Sequence, residues 1–381
     1  MPVTFDESKA QNALQTVLEP DLKKPLTSLG LVKDLVVRDG KVGLTLIETS
    51  PESPVTEALT AALRKALIDA GASSVEVKTR LEVPRVAGLT PAAPAGPGPV
   101  TQPQRMLGVK AIIAVASGKG GVGKSTVATN LAVSLSKLGA KVGLLDADIY
   151  GPSVPIMLGL RNARPTETAD GKIATLQRYG LSVMSMGFML GEDQAVVWRG
   201  PMLGKALQQF IEDVDWGEKD YVVIDMPPGT GDVQLSLAQL LPVAGAVVVT
   251  TPQDVAFADV RRAIKMFEMT KTGVLGVVEN MSGFVCGQCG TPHAIFGESR
   301  IDHHAAVERM EVLGKIALDA VTAIAADHGE PISVASPSST AAETYKAIAR
   351  RVARKVAVVA MERSAQADKL SGFFGAPPRP S

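Results

Sequence analysis

The residues best suited to chemistry fall in two runs. The first is Gly118-Lys119-Gly120-Gly121-Val122-Gly123-Lys124-Ser125-Thr126. Within it Gly118, Gly123, Lys124 and Ser125 satisfy G-x-x-x-x-G-K-S/T, between an apolar run and an amphipathic one. Glycines let backbone N–H groups turn inward around phosphate oxygens, and the start of the following helix adds its positive end. Lys124 is expected at the β- and γ-phosphates, and Ser125 at Mg²⁺. Two carboxylate sites follow, each closing an apolar run. Val142–Leu145 ends in Asp146-Ala147-Asp148, and Tyr221–Ile224 ends in Asp225. Alternation puts Asp146 and Asp148 on one side of an extended segment. Asp225 is expected to hold Mg²⁺ through water, Asp146 to lie near the metal and Asp148 to orient the attacking water. The plainer role for either of the first two carboxylates is a helix cap. After Asp225, Gly229-Thr230-Gly231 is suited to sensing a γ-phosphate.

The second run is Cys286-Gly287-Gln288-Cys289, which holds both cysteines of the chain, with His293, His303 and His304 close behind. Four readings stand: a pair without a role, a redox dithiol, a zinc site completed by His293 and one of His303 or His304, and an iron–sulfur cluster. A four-iron cluster takes four thiolates, so two chains would have to share it. Between the two runs stands Asn280, after Val274–Val278. Its amide can pair with adenine N6 and N7. A guanine reader of the N-K-x-D kind would want aspartate where Gly283 stands, so the expected nucleotide is ATP. A turn asparagine is the alternative.

These residues need a scaffold. The runs Ala111–Ala116, Val142–Leu145, Tyr221–Ile224, Ala246–Thr250 and Val274–Val278 are apolar without alternation, as in strands buried on both faces. Helical patterns separate them. The expected fold class is α/β: a doubly wound, mostly parallel sheet over residues 107–360, with ligands at the carboxyl ends of its strands. Residues 84–106 carry six prolines and three glycines and read as a linker. Residues 1–83 read helix, strand, strand, helix, strand, a small α+β domain. Its expected helices are Ala10–Leu18 and Pro54–Ala70, with a hairpin turn at Asp39-Gly40. Residues 361–381 are expected to form a disordered tail.

Composition narrows the function. Of 381 residues, 39 are Lys or Arg and 39 are Asp or Glu, so no polyanion is the default partner. Two cysteines exclude a disulfide scaffold. The start MPVTFDESKAQNAL is not expected to be a signal peptide, and no apolar stretch reaches a membrane span. The expectation is a cytoplasmic protein that binds neither nucleic acid nor membrane.

Lys119 at the second position of the loop resembles the deviant Walker A motif of the dimeric SIMIBI ATPases. There that lysine reaches the partner subunit's nucleotide, like an arginine finger in trans. A solvated surface lysine is the alternative. WRGPM (Trp198–Met202), DYVVIDMPPGTGD (Asp220–Asp232), VVVTTPQDVAFADV (Val247–Val260), GVVENMSGF (Gly276–Phe284), CGQCG (Cys286–Gly290) and IFG (Ile295–Gly297) extend the likeness. Over residues 107–355 the chain resembles the Mrp/ApbC iron–sulfur carrier proteins, relatives of the eukaryotic Nbp/Cfd scaffold ATPases. Its first domain resembles the small iron–sulfur assembly domain often fused to them. The resemblance implies a homodimeric P-loop ATPase that binds a [4Fe-4S] cluster at Cys286 and Cys289 and passes it to apo-proteins. Two departures stand out. Ser50-Pro51 or Ser53-Pro54 replaces a cysteine–proline pair of the small domain, and Ala317, in a KIALD segment expected to be a loop, replaces a proline. The competing classes are a partitioning or positioning ATPase, which wants a basic amphipathic helix at its carboxyl end, and a nucleotide-gated adaptor, zinc-containing or non-hydrolysing.

Overall fold

A computed structural model describes residues 5–86, 106, 108–149, 151–189, 206, 208–241, 243–286 and 288–374. The chain packs as two units, Met1–Ala87 with Ala353–Ser381, and Gly88–Val352. Most of the proposed linker and the WRGPM segment lie outside the described residues.

In the first unit, a helix over Glu7–Leu14 starts where Asp6 accepts a hydrogen bond from the Lys9 N–H at 2.9 Å. The sequence suggested a helix running to Leu18. Pro20 disfavours helical geometry just before it, and Leu18 instead bridges to Pro25. Strands β1 (Val32–Arg38) and β2 (Lys41–Glu48) pair antiparallel. Asp39 and Gly40 join them, both at positive φ as a tight hairpin requires. The helix Thr56–Asp69 returns the chain to β3 (Ser74–Leu81), parallel to β2. Leu14, Leu26, Leu44, Leu46, Leu63 and Leu67 form the core, joined by Met361 of the last helix. That helix spans Thr340–Phe374 and so occupies much of the expected disordered tail. Residues 361–371 contain no proline or glycine, and good helix formers let the helix continue. Arg354 on it pairs with the fully buried Glu19 and lies 2.6 Å from Asp21.

The second unit is built on strands β4 (Val109–Ser117), β5 (Val142–Asp146), β6 (Ile173–Ala174), β7 (Leu176–Arg178), β8 (Leu181–Ser185), β9 (Val214–Asp215), β10 (Lys219–Asp225), β11 (Gly245–Thr250), β12 (Val274–Val285), β13 (Pro292–His293) and β14 (Val312–Leu318). The main sheet runs β7-β8-β5-β10-β4-β11-β12-β13, and β14 also pairs with β12. Strands β8, β5, β10, β4, β11, β12 and β14 are mutually parallel, while β7 and β13 add antiparallel edges. The five strands expected from the sequence are all present. The KIALD segment is not a loop, because Lys315–Leu318 complete β14. From β4 the helix Lys124–Lys137 leads to β5 on one side. From β10 the helix Asp232–Leu240 leads to β11 on the other. The strand order therefore reverses at β4, which opens a crevice beyond its carboxyl end. Among the described residues no helix is long and apolar enough to cross a membrane.

Candidate functional site

The phosphate loop leaves β4 at Ser117, whose hydroxyl donates to the Lys119 carbonyl at 2.9 Å. The loop can pack only with glycine at two points. A Cβ on Gly118 would lie 2.4 Å from the Asp259 backbone, and one on Gly123 would lie 2.1 Å from Asn280 Nδ2. Gly123 also sits at φ +82°, where L side chains are strained. It begins the helix Lys124–Lys137 with no side chain capping the first N–H groups, so these face the loop. A cavity of about 210 Å³ opens there, lined by Gly120, Gly121, Gly123, Lys124, Ser125, Thr126 and Asp148. Ser153, Met157 and Pro228 also line it. Sequence reasoning assigned these three no role, since only the fold brings them to the loop.

Lys124 is buried, with Nζ 2.6 Å from Asp225 Oδ1, 3.5 Å from Asp148 Oδ2 and 3.2 Å from Ser125 Oγ. Burial pushes the Asp225 carboxyl above its usual range, and the Lys124 charge pulls the other way. Asp225 Oδ2 and Asp148 Oδ1 are buried with no hydrogen-bond partner. Two orphaned carboxylate oxygens beside the Ser125 hydroxyl fit a divalent cation such as Mg²⁺.

Asp146 is arranged differently from the sequence expectation. Its Oδ1 accepts from the Asp148 N–H at 3.1 Å, and its Oδ2 accepts from the Val154 N–H at 3.2 Å and the Ser185 hydroxyl at 2.9 Å. Both oxygens are occupied by the protein, so Asp146 holds backbone rather than offering itself to a metal. Burial and the neighbouring Asp225 push its carboxyl up to about 8, against the Ser185 and Asp148 hydrogen bonds and the Lys124 charge. Asn280 also has a local task. Its amide donates to the Val122 carbonyl at 2.9 Å and braces the loop from β12. Lys119 is half-buried on the loop and forms no ion pair among the described residues.

The same β12 ends at Val285, and Cys286 follows at once. The Cys286 N–H donates to the Thr291 carbonyl at 3.0 Å, and the Gly290 N–H donates to the Cys286 carbonyl at 2.8 Å, closing a hairpin into β13. Gly287 lies outside the described residues. Cys286 is half-buried and Cys289 exposed, both as free thiols. The Thr291 hydroxyl, 3.2 Å from Cys289 Sγ, and the Thr291 N–H hold the Cys289 thiol below its usual range. A lowered thiol is a readier metal ligand. The histidines do not join it. His293 lies across the hairpin against Phe284, while His304 pairs with Asp254 at 2.8 Å and stacks on Phe257. Among the described residues no three His, Cys, Asp or Glu side chains gather as a metal site. The single-chain zinc arrangement therefore lacks its ligands there.

A glycine loop on the first strand, Lys124 and Ser125 opening a helix, and Asp225 at the end of the next strand in the sheet define a P-loop NTPase. Residues 108–353 match the NUBPL iron-transfer P-loop NTPase family and residues 7–79 match the iron–sulfur cluster assembly protein family. The chain belongs to the NUBPL iron-transfer P-loop NTPase family, with an iron–sulfur assembly domain ahead of it. It is 42% identical to the iron–sulfur cluster carrier protein of Synechocystis over 91% of this chain and 97% of that one. It is 44% identical to that of Aquifex aeolicus over 90% and 98%. Among solved structures, a nucleotide-binding protein from Archaeoglobus fulgidus in complex with ADP superposes with a TM-score of 0.54. The two are 41% identical, and the match covers 59% of this chain and 88% of that one.

Proposed function

We propose that this protein is an ATP-hydrolysing carrier of iron–sulfur clusters. Two copies share one [4Fe-4S] cluster through Cys286 and Cys289 and deliver it to apo-proteins in the cytoplasm, without binding nucleic acid or a membrane. One observation carries the reading: a pair of free thiols in one turn, Cys289 exposed and acidified and Cys286 half-buried, with no third ligand gathered beside them among the described residues. Two thiolates per chain leave a four-iron cluster half-ligated, and a second copy completes it. The names of the curated relatives support the cargo.

ATP sits with its phosphates on residues 118–126. Mg²⁺, when bound, neutralises phosphate charge and polarises the phosphoryl oxygens. Ser125 and Asp225 would hold it. Lys124 then turns from the carboxylates to the phosphates, and Asp148 orients the attacking water. Lys119 reaches the nucleotide of the second copy. Asn280 stays near the base end while bracing Val122. A positioning ATPase would need a free basic helix at the carboxyl end. The helix Thr340–Phe374 instead buries Val352, Ala353, Val356, Ala357 and Ala360.

The test is anaerobic loading of full-length protein and its Cys286→Ser, Cys289→Ser and His293→Ala variants, followed by transfer to an apo-protein. The reading expects a brown chromophore that either serine variant loses and His293→Ala keeps. Retention in both serine variants would contradict it.

A further inference from the structure

Ser185, Asp146 and Asp225 stand side by side at the ends of three neighbouring parallel strands. Ser185 is opposite Asp146 in the β8–β5 register, and Asp146 is opposite Asp225 in the β5–β10 register. All three are fully buried. The sequence reading gave Ser185 no role, since a serine at the end of a short strand carries no motif.

The Ser185 hydroxyl oxygen accepts from the Gly187 N–H at 3.0 Å. A hydroxyl has one hydrogen to give, and Asp146 Oδ2 lies 2.9 Å away to take it. Asp146 is thereby held with Oδ1 on the Asp148 N–H and Oδ2 on the Val154 N–H. The first bond fixes the backbone of Asp148, whose carboxylate lies 3.5 Å from Lys124 Nζ. The second fixes the start of the short helix Val154–Met157, from which Met157 walls the phosphate cavity beside Ser153. Packing supports the same segment, because a Cβ on Gly187 would come within 3.1 Å of Pro152 and 3.2 Å of Pro155. One hydroxyl thus anchors the carboxylate that sets both Asp148 and one wall of the cavity.

We propose that Ser185 is a positioning residue for ATP hydrolysis, acting through Asp146 on the placement of Asp148. This rests on the ATPase reading above. Ser185 touches no part of the cavity, so its loss misplaces the water-orienting carboxylate while the phosphate loop, which supplies affinity, stays intact.

The experiment measures ATP turnover by full-length wild type, Ser185→Ala, Ser185→Thr, Asp146→Asn and the Ser185→Ala/Asp146→Asn double variant, each first checked by thermal melting. Ser185→Ala should lower kcat about tenfold with KM for ATP within about threefold, since a lost interaction specific to the transition state appears in kcat. Ser185→Thr keeps the hydroxyl and should recover most of that loss. If Ser185 acts through Asp146, the double variant should be no slower than Asp146→Asn alone. Wild-type kcat in Ser185→Ala, a loss confined to KM, or multiplicative losses in the double variant would overturn the proposal. A wild-type chain with no turnover would sink the ATPase reading itself and this inference with it, so the two failures are told apart by the wild-type lane.

Discussion

Lys124 Nζ lies 2.6 Å from Asp225 Oδ1, buried at the junction of the phosphate loop and β10. The pair links the residue proposed to meet the phosphates to the one proposed to hold the cation, and each keeps the other's charge tolerable out of water. Lys124→Ala removes the phosphate contact and leaves Asp225 unpaired. A charge-assisted hydrogen bond contributes about 1.5–3 kcal/mol, so nucleotide should bind roughly 10- to 150-fold more weakly, with hydrolysis lost. Calorimetric titration with ADP and a phosphate-release assay check this. Wild-type turnover would remove Lys124 from the mechanism.

Gly123→Ala should be more damaging than a methyl group suggests. The new Cβ meets the Asn280 amide at 2.1 Å, and the left-handed backbone adds about 1–2 kcal/mol of strain. Nucleotide affinity should fall at least tenfold. Adding Asn280→Ala clears the collision but not the strain, so, measured relative to Asn280→Ala alone, affinity should return in part. Full recovery would show that the backbone conformation is unimportant, and no recovery that Asn280 is not the obstacle.

Much of this was legible in the sequence. The spacing of Gly118, Gly123, Lys124 and Ser125 fixed the loop, because phosphate binding constrains each of those residue types. Uninterrupted apolar runs marked the five inner strands, because strands buried on both faces tolerate little else. What stayed hidden depends on contacts between distant segments. Asp146 looked like a metal ligand because nothing in D-A-D shows that Ser185, thirty-nine residues on, and the Val154 N–H occupy its oxygens. For Asn280, expected near the base, the added contact with the Val122 carbonyl was hidden because that reach is a matter of sheet order. The helix after residue 361 was masked by a polar composition that a helix accepts as readily as a coil does.

The Lys119 assignment predicts complementation between subunits. Lys119→Ala and Asp148→Asn should each abolish turnover alone. In a mixed dimer, one composite site regains both an intact lysine and an intact aspartate, so about half the activity per mixed dimer should return. If subunit exchange is demonstrated and the mixture stays as inactive as its parents, Lys119 does not act across the dimer.

Asp146 makes stability depend on pH. Burial and Asp225 raise its carboxyl to about 8, above the ordinary aspartate value, so the folded chain keeps a proton that the unfolded chain releases. Between about pH 4 and pH 8 the folded state therefore binds more protons, and stability should fall as pH rises, by at most about 1.4 kcal/mol per pH unit. Asp146→Asn, which cannot ionise, should flatten that slope. Urea unfolding at pH 5, 6, 7 and 8 in chelator, with nucleotide absent, measures it. An Asp146→Asn slope as steep as the wild type would assign the dependence to another group.

The most direct test of the account counts metal against protein in the anaerobically reconstituted full-length chain, alongside its mass in solution. The account predicts about four irons and four sulfides per dimer, with no zinc, and a dimer that dissociates when either Cys286 or Cys289 is replaced by serine. One zinc per monomer, retained by a monomeric variant and lost in His293→Ala, would contradict it.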